Sequence, residues 1–150
     1  MFFRFEFEAA FYPDLRRVPF HVRMKLDLVG IRVSLNTWCV LSLVERRVLC
    51  ELPVETDEEK EVFATFLSAL AESRAGVGAE RCLPLDAGEW ATTVPKAVVQ
   101  RSEVASVPVV PAEWSRWASH ERYVLYKTAL SKDPELFQQA LKEMRQRLIS

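Results

Sequence analysis

Glycine is scarce in this 150-residue chain: four residues, too few for a glycine-rich phosphate cradle or a turn-dense β-sandwich. Three cysteines (Cys39, Cys50, Cys82) are odd in number and widely spaced, which argues against a disulfide framework and for reduced thiols. The two histidines, His21 and His120, stand apart from one another, and no Cys-x-x-Cys pair is present, so no metal site is expected. His120-Glu121 opens like a metalloprotease helix motif, but Val124 occupies the place of the second histidine. Gly76-Val77-Gly78 does not follow a strand pattern and fails the context of a dinucleotide fingerprint. No run approaches the roughly 18 uncharged apolar residues of a membrane span. The start, Met1-Phe2-Phe3-Arg4-Phe5-Glu6-Phe7-Glu8, is broken by charges and lacks the core of a secretory signal. Twenty basic against 21 acidic residues leave a net charge of −1, unlike a protein built to neutralise phosphates. A cytoplasmic protein without cofactor, catalytic centre or membrane contact is expected.

What is present is a globular mixture, 49% hydrophobic and 27% charged, enough for a single domain with a core. Its most informative feature is internal. Residues 18–49 superimpose without a gap on 94–125, and nine of the 32 positions are identical: Val18/Val94, Pro19/Pro95, Val22/Val98, Val33/Val109, Trp38/Trp114, Glu45/Glu121, Arg46/Arg122, Val48/Val124 and Leu49/Leu125. About two matches are expected by chance, so a diverged duplication is the better explanation. The expected organisation is one mainly α domain over 1–150, made of pseudo-repeat one (16–73), a linker (74–91) and pseudo-repeat two (92–148). The two copies are expected to pack on each other around a shared centre.

Each copy reads as four helices. Pro19 opens the first and Gly30 closes it. A short extended piece follows at Ile31-Arg32-Val33, echoed by Val107-Pro108-Val109, where Pro108 restricts any strand to an edge. Trp38 and Trp114 mark the second helices, the latter opened by Pro111. Ser42 with Glu45, and Thr56 with Glu59, form capping-box patterns that start the third and fourth. The predicted core comprises Trp38, Trp114, Val48, Leu49, Val124, Leu125, Phe63, Phe66 and Phe137, with Val44 and Leu52 on the buried stripe of the third helix. At the N-terminus, Phe3, Phe5 and Phe7 alternate with charged residues, the period of a half-buried strand. This segment reads either as a strap over the core or as an aromatic patch that docks on a partner.

The halves differ in charge: the first 90 residues hold 11 basic and 15 acidic groups, leaving 9 and 6 of the totals for the last 60. Trp114, Trp117, Lys142, Arg145 and Arg147 in the positive half offer a second reading, a small nucleic-acid-binding regulator.

The run Phe5-Glu6, Asp14-Leu15-Arg16, Pro19, Val22-Arg23, Lys25-Leu26-Asp27 and Gly30-Ile31 resembles the opening of the nitrate reductase-associated protein family. Trp38, Glu45-Arg46, Glu51-Leu52-Pro53 and the looser Phe66-Leu67, Trp114 and Arg122 extend the likeness over most of the chain. The resemblance implies an accessory role in maturation or stability of nitrate reductase or another molybdenum-cofactor enzyme, exercised through protein–protein interaction. The family pattern often carries cysteine at the positions of Arg17 and Val29; neither is cysteine here, so no thiol chemistry of relatives is implied for this chain. The candidate partner-binding residues are Phe5, Glu6, Arg16, Arg23, Lys25 and Asp27, with Arg16 and Arg23 able to fork onto carboxylates. The alternative for Arg23 is an ordinary surface pair with Asp27, four residues on.

Overall fold

The computed structural model describes residues 1–149, which are mainly helical (63% helix), with nine α-helices among them. In order these are α1 (Phe20–Val29), α2 (Leu35–Val40), α3 (Leu43–Glu51), α4 (Asp57–Ala75), α5 (Gly88–Ala91), α6 (Lys96–Val104), α7 (Pro111–Trp114), α8 (Ser119–Ala129) and α9 (Pro134–Ile149). The chain divides into two compact units. Unit 1 comprises Met1–Arg4 and Glu8–Asp86; unit 2 comprises Phe5–Phe7 and the chain from Ala87 onward.

In unit 1 the helix boundaries follow local chemistry. Gly30 ends α1 at φ 81°, a left-handed conformation that glycine adopts without strain because it has no Cβ, and its N–H reaches the Leu26 carbonyl. A Cβ there would also lie 2.6 Å from the Cys82 carbonyl oxygen, so the close passage of the returning chain requires glycine. The Ser42 and Thr56 side chains accept the Glu45 and Glu59 N–H groups, and both glutamates reciprocate. β1 (Ile31–Arg32) pairs antiparallel with β2 (Glu80–Arg81), Ile31 opposite Arg81. Trp38, Leu49 and Phe63 are buried together with Val22, Ile31 and Leu67, and Phe66 packs half-buried against them.

Unit 2 also has four successive helices, α6 to α9, preceded by α5 and without a strand among its described residues. Its helices α6, α7 and α8 begin at Lys96, Pro111 and Ser119, each 76 residues after the starts of α1, α2 and α3. Trp114, Val124, Leu125 and Phe137 are buried, with Trp90, Trp117 and Tyr123 beside them. The Trp90 ring meets Tyr123 edge-on at 5.0 Å.

Four expectations are corrected. Phe3–Phe7 do not form a strand: the chain winds into a 3-10 helix over Glu6–Phe11, a local turn that satisfies backbone groups no neighbouring strand is present to pair. The linker 74–91 is not featureless, since it supplies β2 and α5, and Trp90 on α5 is fully buried. The extended echo at 107–109 pairs with no strand among the described residues. Finally, Val48 and Val44 are 37% and 67% exposed instead of buried. In unit 1 the long helix α4 lies on α1 and α2 and leaves the outer face of α3 open, whereas in unit 2 α9 lies along α8 and Val124 is covered. No described helix is long and apolar enough to cross a membrane.

Candidate functional site

Each unit is organised around a tryptophan–arginine clamp. In unit 1 the Trp38 indole N–H donates to the Leu15 carbonyl at 2.7 Å. Arg46 then closes the turn: Nε donates to Trp38 O (3.0 Å), Nη2 to Cys39 O (2.7 Å) and Leu41 O (2.9 Å), and Nη1 to Asp14 O (2.8 Å). In unit 2 the Trp114 indole donates to Trp90 O at 3.0 Å, and Arg122 donates to Trp114 O (3.0 Å), Ser115 O (3.0 Å) and Ala91 O. A planar fork with five donors is what such a cluster of carbonyls needs. The arginine at the matching position of each unit is therefore occupied by the fold and is not offered to a ligand.

Lys25 is likewise occupied. It is 3% exposed, and its ammonium donates to Cys50 O at 2.5 Å and Met1 O at 3.1 Å. Burial lowers its pKa to about 8. Lys25 thus fastens the first residues to α3 and does not face a partner, contrary to expectation. Phe3 adds a second fastening by donating its N–H to His21 Nδ1 at 2.9 Å. Phe5 is only 1% exposed; in unit 2 it lies against His120 and beneath the Arg147 guanidinium, while the Glu6 and Phe7 N–H groups donate to the Glu143 carboxylate. Its ring is covered within the fold and the docking patch is not formed there; the Glu6 side chain remains exposed.

Glu8 is buried at 4% and accepts from Tyr12 Oη (2.5 Å) and from Phe20 N–H (3.1 Å), placing a carboxylate at the start of α1. The Cys50 thiol is pushed up to about 12 by burial, which leaves it inert, while Cys39 is exposed and hydrogen-bonds through Sγ to Arg16 O at 3.4 Å.

What remains open on unit 1 is a basic and aliphatic surface around the start of α1. Arg16 is exposed and paired with Asp14 at 3.3 Å. Arg23 turns its Nε to Val18 O at 3.1 Å and lies over the Phe20 ring at 4.9 Å, so it does not form the expected pair with Asp27. Arg17, Val18, Arg23, Leu26, Val33 and Leu35 line one groove of about 390 Å³. Leu35, Val40, Val44 and Val48 extend apolar exposure from α2 along the outer face of α3. Of the predicted site residues, Arg16 and Arg23 stay exposed around the start of α1, Asp27 is half-buried in its last turn, and Phe5 and Lys25 are buried. Arg17 and Leu35 are additions. The signal for Arg17 was present as the Arg16-Arg17 doublet preceding a helix whose first turn holds no acid.

A family model described as conserved nitrate reductase-associated protein matches residues 4–144. No curated protein and no solved structure matches the chain.

Proposed function

Because the chain belongs to the conserved nitrate reductase-associated protein family, we propose that it is a non-catalytic accessory protein that binds nitrate reductase, or another molybdenum-cofactor enzyme, and supports its maturation or stability in the cytoplasm. The observation supporting this reading is that the polar groups of the tryptophan–arginine clamps are used up by backbone carbonyls, while Arg17, the Nη groups of Arg23 and the exposed Leu35 line an open groove on unit 1. The matched helix starts and the two clamps support a further proposal, that the units descend from one duplicated piece. A tagged chain recovered from its host is expected to retain nitrate reductase, identified by mass spectrometry. Deletion of its gene is expected to lower active enzyme without lowering transcript. Normal enzyme levels after deletion, with no enzyme retained, would contradict the proposal.

A further inference from the structure

We propose that the groove lined by Arg17, Arg23 and Leu35 is the docking site for an acidic segment bearing aliphatic side chains on the partner protein, a proposal that takes from the accessory reading only which protein carries the segment. Its lining holds two guanidinium groups, four aliphatic side chains and no carboxylate. Arg17 makes no hydrogen bond or ion pair among the described residues, and the Nη groups of Arg23 are left over once Nε has bonded Val18 O. Residues 1–86, the stretch that carries the groove, hold 11 basic and 14 acidic residues, so its positive sign is local and not a consequence of overall charge.

Arg23 serves the fold through Nε to Val18 O and through its guanidinium over the Phe20 ring, so what is left for a ligand is Arg17 and the Nη groups of Arg23. Arg17 precedes α1 and Arg23 is its fourth residue, beside a helix start whose Phe20 N–H is already taken by the Glu8 carboxylate. Unit 2 has Thr93 and Val99 at the positions 76 residues after Arg17 and Arg23, and Pro111 at the position 76 residues after Leu35. The clamp arginines are kept in both units; the groove arginines occur in one.

The apolar floor selects the class of occupant. Val18 and Leu26 are nearly buried, while Leu35 stands 53% exposed at the edge. An aliphatic side chain inserted between them gains burial, and carboxylates flanking it reach the two guanidinium forks. A nucleic-acid backbone would meet the charges but leave the floor without a partner.

The test uses the full-length chain and fluorescence anisotropy with a labelled synthetic peptide of alternating glutamate and leucine, its glutamine–leucine counterpart, and a labelled uridine oligonucleotide. The acidic peptide is expected to bind about tenfold more tightly than the glutamine form, as one charge-assisted bond is worth. The Arg17→Glu/Arg23→Glu variant is expected to lose this preference, and Leu35→Ser to weaken binding several-fold, both with wild-type melting temperature. Equal affinity for the two peptides, tighter binding of the oligonucleotide, or an unaffected charge-reversed variant would overturn the groove. Purified nitrate reductase separates the two readings. Wild-type and charge-reversed chains binding it equally would overturn the groove and leave the accessory role standing. Peptide preference without enzyme binding would uphold the groove and remove the enzyme as partner.

Discussion

Arg46 and Arg122 each gather carbonyls from a tryptophan turn and from the chain that precedes it, so a single side chain fixes where each short helix ends. The tryptophans they hold are fully buried. Trp38→Ala and Trp114→Ala are each expected to cost about 3–5 kcal/mol in urea denaturation, the range for removing a large buried aromatic; a variant melting at the wild-type temperature would contradict the clamp. Lys25 gives a pH signature. Its folded-state pKa is lowered from 10.5 to about 8, so between these values the unfolded chain binds the proton more tightly than the folded one. Its contribution to stability therefore rises with pH across that window and is flat below it. The difference in urea midpoint between wild type and Lys25→Met is expected to move in the wild type's favour from pH 8 to pH 10; a constant difference would show that Lys25 is not buried as described. The equality of Trp38 with Trp114 and of Arg46 with Arg122 was legible in the sequence. The bonds they make were not, because a surface arginine and a carbonyl-binding arginine read alike until the chain that supplies the carbonyls is in place.

Helix starts were legible because the capping chemistry is local: Ser42 and Thr56 need only residues three further on. The outer face of α3 is not legible, for the opposite reason. Val44, Val48 and Leu49 have the spacing of a buried stripe, but burial depends on where α4 comes to lie, and it lies on α1 and α2. Matched residues in the two units thus differ in environment, Val48 at 37% exposure and Val124 at 0%. Val48→Asp is expected to change stability by less than about 0.5 kcal/mol, the usual range for surface sites, while Val124→Asp, which buries an unpaired charge, is expected to cost more than about 3 kcal/mol. Equal losses in thermal denaturation would mean that the two third helices are covered alike. Trp90 is not legible as core because its linker, 74–91, holds three of the four glycines, and such a stretch hides a four-residue helix whose stability comes from packing on Tyr123 and not from propensity.

At the scale of the whole molecule, family membership and the mainly helical fold agree with what the ordered run from Phe5 to Arg122 implied, whereas the surface that serves a partner depends on which charges the fold consumes. Lys25 and Arg46 are consumed; Arg17 and Arg23 keep guanidinium nitrogens for a ligand. Size-exclusion chromatography with light scattering, on the purified chain mixed with purified nitrate reductase from the same host, tests the proposed role most directly. Co-elution at the summed mass is expected, lost in the Arg17→Glu/Arg23→Glu variant; two separate peaks at micromolar concentration for the wild-type chain would contradict it.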